Sequence, residues 1–511
     1  MTFKRLVLAV LTLLAIINIG SSLNNSFSKP QIGGRLELYQ TNLVLHVAEF
    51  KATPNDDFDL NNAVSSLVGE NPYSAAAKQY QKVRQETVIS RDNFTNKLQQ
   101  LETSPVTEPS NEAKIKQLEQ QKTQVQGFIN ELDLKRGILS AVQENAPKAV
   151  SIWEEEIERI NNSADRYSQT AALLKQTWQD QPTDLESSIA TINQNLDSWF
   201  RYQALSKFDQ VNNLAEDLAI LQARELETSS NAIFKLAFIS GLPVISCILG
   251  IILLVFLTVQ RWTKKEASIL ATNNNTQWDT PWDWEITWQV LIVGFFFIAQ
   301  FALPLLLGLF NLNPVNYSLR VKAFYVLGTY LAMAIGGVSV LYFSIKSFLP
   351  LSQDWFKFKL QGSVFAWGFG GYLVALPLVL LVSVINQQIW QGQGGSNPLL
   401  LLALQAQDKV ALAIFFITSS IAAPIFEEIM FRGFLLPSLT RYVSSRNAIV
   451  ISALIFAVAH LSLSEVLPLM TLGIVLAVVY TRSRNLLAPI LLHSLWNSGT
   501  LISLFVLGSG A

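Results

Sequence analysis

Apolar and polar positions divide the 511-residue chain into two halves: residues 24–231 are polar and rich in Gln, Asn, Glu and Lys, whereas 233–511 is mostly apolar with its charges in short clusters. Ahead of both, Lys4 and Arg5 precede an apolar run from Leu6 to Ile19. That run is near the lower limit of roughly 17 residues for a spanning helix and also fits a signal-peptide core. An uncleaved anchor is the preferred reading, because Asn18-Ile19-Gly20-Ser21-Ser22 is only a loose match to a small-x-small cleavage site. In the apolar half, runs at 233–259, 288–310, 323–343, 362–385, 410–436, 448–463, 466–480 and 486–507 bring the expected spans to about nine.

The polar half reads as helices. Ile115, Leu118, Val125, Ile129, Leu132 and Leu139 fall at heptad a/d positions, interrupted by Lys122 and Arg136. Thr103 to Ser110 breaks the pattern, and Pro147 and Pro182 punctuate the later part of this half, so antiparallel, coiled-coil-like hairpins are expected. Residues 36–40 and 43–50 fit short strands or another helix, and His46 reads as a packing histidine without chemical company. The fold class is therefore all-α: a polytopic membrane helix bundle with an exported helical domain.

Basic residues set the topology. Arg261, Lys264 and Lys265 close the 233–259 span, which puts that end in the cytoplasm with Lys4 and Arg5. Residues 24–231 then lie in a periplasm-like or lumenal space. Lys346, Lys357 and Lys359, then Arg441 and Arg446, then Arg482 and Arg484 continue the alternation. The expected organisation is an anchor or signal at 1–23, an exported helical domain at 24–231, a span with a cytoplasmic linker at 232–287, and a polytopic domain at 288–511. Trp278, Trp282, Trp284 and Trp288 before the third span read as an interfacial belt.

Composition narrows the function classes. Half the residues are hydrophobic and the mean hydropathy is +0.31, which excludes an ordinary soluble protein. A formal net charge of −1, from 37 basic and 38 acidic residues, provides no field for nucleic acid. The single cysteine, Cys247, excludes intrachain disulfides and thiolate zinc clusters.

The chemistry lies in Ala422-Ala423-Pro424-Ile425-Phe426-Glu427-Glu428-Ile429-Met430-Phe431-Arg432-Gly433, where two acids and an arginine interrupt apolar sequence. An ionised side chain at mid-bilayer costs roughly 2.5–3.5 kcal/mol on insertion scales, so such groups face a bundle interior or cavity. Glu428 and Arg432 are spaced i, i+4 for a helical ion pair, while Glu427 points about 100° away without a local partner. A structural salt-bridge network is the competing reading. Of only three histidines, His460 and His493 lie in the last spans, and Asn497 shares a helix face with His493. At 1.5 Å per residue, Glu427 and His460 lie about 21 Å from Arg441 and Arg446, and His493 about 14 Å from Arg484. A common site is permitted if tilt absorbs the difference, and Pro424 and Pro437 are expected to bend the Glu-bearing helix.

The motifs EExxxR (Glu427, Glu428, Arg432), FxxxH (Phe456, His460) and HxxxN (His493, Asn497) together resemble the CPBP family, the CAAX-protease and bacteriocin-processing membrane proteins that include the Ras-converting prenyl-protein endopeptidase. The resemblance spans roughly residues 400–500 and leaves 1–270 uncovered. It implies an intramembrane endopeptidase cleaving near the C-terminus of membrane-bound or lipidated substrates. Glu427 with His493 would activate water, His460 with Asn497 would stabilise the oxyanion, and Glu428 and Arg432 would orient the site. No cofactor is expected. The family's older zinc hypothesis, with His460, His493 and Glu427 as ligands, is the runner-up, since no helical HExxH is present. Competing functions are a non-proteolytic scaffold or bacteriocin-immunity protein, with the exported domain binding a protein partner, and a proton-coupled transporter, for which no internal repeat is apparent.

Overall fold

In the computed structural model, residues 2–508 are described except 28, 51–63, 65, 66, 104–108, 275, 276, 311, 313, 315, 316, 405 and 407. The helix-breaking segment expected at Thr103–Ser110 falls largely outside them. Among the described residues all regular structure is helical and no strand occurs. The chain divides into two compact units, one of Met1–Lys29 with Pro243–Phe505, the other centred on Pro30–Leu242.

The second unit begins with α2 (Gly33–Ala48), so the segment whose sequence fits either strand or helix is helix. A hairpin of α3 (Pro72–Glu102) and α4 (Pro109–Val142) comes next, then α5 (Ala146–Ile160), α6 (Arg166–Trp178), α7 (Leu185–Asn195), α8 (Ser198–Val211) and α9 (Ala215–Leu236). Along α3 the buried positions Tyr80, Val83, Thr87, Ser90, Phe94 and Leu98 recur every three or four residues, the spacing of a helix with one packed stripe. On α4 the heptad residues Ile129, Leu132 and Leu139 are fully buried, while Ile115, Leu118 and Val125 are half-buried. Arg136 does not interrupt the packing: it pairs with Asp133, onto which Arg84 of α3 also donates. A Cβ on Gly137 would lie 2.2 Å from the Trp153 indole, so glycine here lets α5 lay its largest side chain directly on α4. His46 is not a lone packing residue. It is buried, with Glu225 Oε1 at 2.6 Å and Ser198 Oγ at 2.8 Å from its ring nitrogens.

Glu156, on α5, is fully buried at its side chain. Arg159 approaches Oε1 only to 3.5 Å, because its guanidinium donates to Asp133 at 2.9 Å and Asn130 at 3.1 Å, and neither Glu156 oxygen gains a hydrogen bond. Burial, then the charge of Asp133, push this carboxyl up to about 9. The folded unit therefore keeps a proton that the unfolded chain releases near its ordinary 4.5. The stabilisation is complete below that value and is lost as pH rises towards 9. Glu156→Gln is expected to flatten the pH dependence of thermal unfolding between about pH 5 and 8, where the parent declines by at most about 1.4 kcal/mol per pH unit. A parent profile as flat as the variant's contradicts the assignment.

The first unit is the membrane bundle. Eight helices among the described residues are long and apolar enough to cross a membrane. They are α1 (Phe3–Ser26), the segment Ala215–Ala267 containing α10 (Leu242–Lys264), α11 (Trp284–Leu309), α12 (Leu319–Phe348), α13 (Gly362–Trp390), α14 (Lys409–Leu439), α16 (Leu463–Ser483) and α17 (Leu487–Gly508). The ninth expected span, 448–463, contains α15 (Ser445–Val458), whose 14 residues are shorter than the roughly 20 of an ordinary spanning helix. The segment nevertheless leads from Arg441, bonded to the Trp282 carbonyl, to Leu463, whose N–H donates to Ser26 at the end of α1 opposite Lys4 and Arg5. The protein is an integral, multi-pass membrane protein.

Widened π turns at Ala237–Gly241, Val290–Ala302, Thr418–Ala422 and Ile429–Leu435 each end two residues before a proline: Pro243, Pro304, Pro424 and Pro437. A proline inside an α-helix collides with the carbonyl four residues back and donates no N–H, and one extra residue per turn relieves that conflict without breaking the helix. The start of α1 sits against α11, with Lys4 and Arg5 on Glu285 at 3.1 and 2.7 Å and the Trp288 indole donating to Thr12.

The tryptophan cluster is not simply a lipid-facing belt. Trp278 and Trp282 are buried at 4% and 1% exposure, Trp278 stacked on Tyr480 and beneath Arg484, and Trp282 donating to Ser438. Arg441 donates to the Trp282 carbonyl, Asn273 to the Arg482 carbonyl, and the Leu486 N–H to the Lys357 carbonyl. These contacts gather the basic loops into one polar cap at one end of the bundle. Of the four indoles, Trp284, 47% exposed, faces outward as a belt residue would.

Candidate active site

Glu427 and Glu428 lie in the α-helical stretch Ala423–Glu428 of α14, between the two wide turns. Its neighbours are built for close approach. On α12, a Cβ at Gly337 would come within 2.9 Å of the Phe426 ring, so glycine lets α12 lie directly against the turn that carries the acids.

Glu428 and Arg432 are completely buried and form the expected i, i+4 pair, Arg432 Nη1 donating to Glu428 Oε1 at 2.9 Å. Arg432 Nη2 donates to the Gly473 carbonyl of α16 at 3.0 Å, and the guanidinium lies 4.4 Å from the Phe456 ring of α15. One cation thus ties three helices together. The same Glu428 oxygen meets His493 Nδ1 of α17 at 2.9 Å. An ionised carboxylate paired to arginine only accepts, so Nδ1 carries a proton, and in the neutral ring His493 Nε2 presents a lone pair.

That lone pair faces Glu427. His493 Nε2 and Glu427 Oε2 are 3.9 Å apart, too far for a direct hydrogen bond, and Oε2 is buried without any hydrogen-bond partner. The other oxygen, Oε1, accepts from the Tyr330 hydroxyl at 3.1 Å. Glu427 therefore does have a partner, but one from α12, far away in sequence. Tyr330 leaves little trace in the sequence because a neutral hydroxyl in an apolar helix costs far less than a charge. Tyr330→Phe is expected to lower turnover by about tenfold with little change in KM, since a hydrogen bond to a charged group contributes about 1.5–3 kcal/mol and this one holds Glu427 in place. An unchanged turnover number in the variant contradicts that positioning role.

His460 and Asn497 stand beside this group without touching its acids. His460 comes just after α15, and its Nδ1 meets the Phe456 carbonyl at 2.9 Å. A carbonyl only accepts, so Nδ1 is the donor and Nε2 can donate only when the ring is an imidazolium. Phe456 packs edge-on against both His460 and His493, with ring centres 5.0 and 5.8 Å away, and so separates and locates the two rings. Glu465, in the first turn of α16, accepts the Asn397 N–H at 2.8 Å, and no motif in the sequence marks it. Asn497 donates to the Ser419 carbonyl at 2.7 Å, linking α17 to the wide turn before the acids. Among the described residues, no group of three or more His, Cys, Asp and Glu side chains is gathered in a metal-binding arrangement.

With Glu427 and Glu428 ionised and Arg432 charged, the group carries one net negative charge, and uptake of one proton neutralises it. In a low-dielectric bundle this is an arrangement that accepts a proton from a neutral molecule and returns it.

Residues 409–499, which include every motif residue, match the family described as type II CAAX prenyl endopeptidase Rce1-like. The chain is 26% identical over 224 residues to the membrane-embedded CAAX protease MroQ of Staphylococcus aureus (strain USA300), covering 42% of this chain and 88% of that one. It is 29% identical over 136 residues to the putative membrane peptidase YdiL of Bacillus subtilis (strain 168), covering 27% of this chain and 54% of that one. No solved structure matches. The C-terminal part of this multi-pass membrane protein thus matches the Rce1-like, type II CAAX prenyl endopeptidase model, and that likeness supports a membrane peptidase.

Proposed function

We propose that the bundle is an intramembrane glutamic endopeptidase that cuts near the C-terminus of membrane-associated or lipidated proteins or peptides. The observation that carries this reading is the convergence of two acceptors, Glu427 Oε2 and His493 Nε2, 3.9 Å apart and each held from behind, by Tyr330 and by Glu428. A water about 2.8 Å from both donates one proton to each and turns its lone pairs towards a substrate carbonyl. Glu427 takes the proton as the water attacks and delivers it to the leaving amine. The Glu428–Arg432 pair holds His493 in the tautomer this requires. His460 and the second amide proton of Asn497 are the oxyanion donors.

The likeness to a CAAX protease favours a substrate whose cleaved bond lies near the membrane surface. In this reading residues 24–231 are extracytoplasmic, because Lys4 and Arg5 meet Glu285 at the end of the bundle that the positive-inside rule assigns to the cytoplasm.

The mechanism uses no metal. Purified full-length protein in lipid nanodiscs, offered C-terminal peptides of membrane proteins, is expected to release short C-terminal fragments at the same rate before and after 1,10-phenanthroline treatment. Activity lost on chelation and restored by zinc contradicts the glutamic mechanism and favours zinc held by Glu427, His460 and His493.

A further inference from the structure

The helical unit contains a second constellation, with chemistry of its own. Glu225 of α9, His46 of α2 and Ser198 at the start of α8 form a buried relay: Glu225 Oε1 to His46 Nδ1 at 2.6 Å, and His46 Nε2 to Ser198 Oγ at 2.8 Å. Three helices distant in sequence supply one residue each. With Nδ1–H donated to the carboxylate, Nε2 is left to accept the serine proton, which is the order of roles that activates a serine hydroxyl.

Two observations separate this relay from a histidine merely satisfied in a core. All three residues line a cavity of about 540 Å³, so the hydroxyl has space before it. Arg201 and Arg224 line the same cavity, giving it the charge to hold an anionic group. In addition, Asp197, which precedes α8, makes no capping bond to the first turn and pairs instead with Lys135 at 2.8 Å. The first N–H groups of α8 are therefore not taken by that side chain, and they lie beside the hydroxyl where an oxyanion would form.

We propose that the helical unit is a serine hydrolase of esters that carry a negative charge, with Ser198 as nucleophile, His46 as general base and Glu225 as its orienting acid. Ser198 Oγ bonds to the ester carbonyl carbon while its proton passes to His46 Nε2. The bond from that carbon to the alkoxy oxygen breaks, and the alcohol leaves with the proton from His46. Water then attacks the Ser198 ester through the same base, releasing the acid and returning the proton to Ser198.

The test uses full-length protein in detergent with a fluorophosphonate, which exchanges its P–F bond for a P–O bond to an activated serine. The adduct is expected on Ser198 by peptide mass spectrometry, with labelling at least about 100-fold slower in His46→Gln and absent in Ser198→Ala. Glu427→Gln is expected to label like the parent, which separates this site from the membrane one. Hydrolysis of 4-nitrophenyl hydrogen succinate is expected to exceed that of 4-nitrophenyl acetate, and Arg201→Gln with Arg224→Gln to remove the preference. Thermal unfolding verifies that each variant is folded. An unlabelled Ser198 in folded protein, or labelling at the parent rate in His46→Gln, overturns the proposal and leaves the relay as a packing network.

Discussion

Glu427→Gln is expected to lower peptide-bond cleavage by about 10²- to 10⁴-fold, the contribution of a positioned general base, while the protein inserts, folds and binds substrate normally. Glutamine matches the shape of glutamate and still accepts the Tyr330 hydroxyl, whose 3.1 Å hydrogen bond is made to Oε1. What it lacks is the ability to take a proton from a water shared with His493. Because the group then carries no uncompensated charge, stability is expected to be unchanged or slightly raised. The loss belongs in kcat and not in KM, since the interaction forms fully only as the water becomes a nucleophile. Wild-type turnover in this variant returns the acidic pair to a structural role.

Arg432→Ala is expected to do the opposite: to damage the fold first and the chemistry as a consequence. Arg432 and Glu428 have no exposed side-chain surface, and the arginine also donates to the Gly473 carbonyl and lies against Phe456. Removing one partner of a fully buried pair leaves the other charge uncompensated, at a cost of about 3–5 kcal/mol. Melting temperature in nanodiscs and abundance in the membrane are expected to fall together. Adding Glu428→Gln to Arg432→Ala is expected to recover most of the stability but little activity, because His493 Nδ1 then loses the carboxylate that fixes its tautomer. A double variant as unstable as the single one contradicts the assignment of the loss to the unpaired charge.

How much of this is legible in the sequence depends on the size of the physical penalty each residue carries. Apolar runs identify eight crossing helices, since about twenty apolar residues in succession have few other uses. The short helix Ser445–Val458 reads as a full span because its apolar run continues past the helix end at Val458 to Leu463, where the chain reaches Ser26 at the other end of the bundle. Glu428 and Arg432 announce their pairing through an i, i+4 spacing in a costly setting. The way His493 engages that pair is not legible: spacing shows which face of a helix a ring occupies, not which of its nitrogens meets which acid. Glu427 has no partner in its own helix, and the one it does have, Tyr330, comes from another. Trp282 resembles a belt residue because an indole at a span's edge has the same sequence signature whether it faces lipid or donates to Ser438. His46 is inconspicuous for a related reason, since its partners stand 152 and 179 residues away.

The central claim is that this chain shortens the C-termini of membrane proteins by means of Glu427. Its most direct test is comparative mapping of C-terminal peptides from the membranes of cells carrying the parent protein and cells carrying Glu427→Gln at equal abundance. A set of proteins is predicted to end a few residues early in the parent and to keep full-length C-termini in the variant. Identical C-termini in the two membranes contradict it.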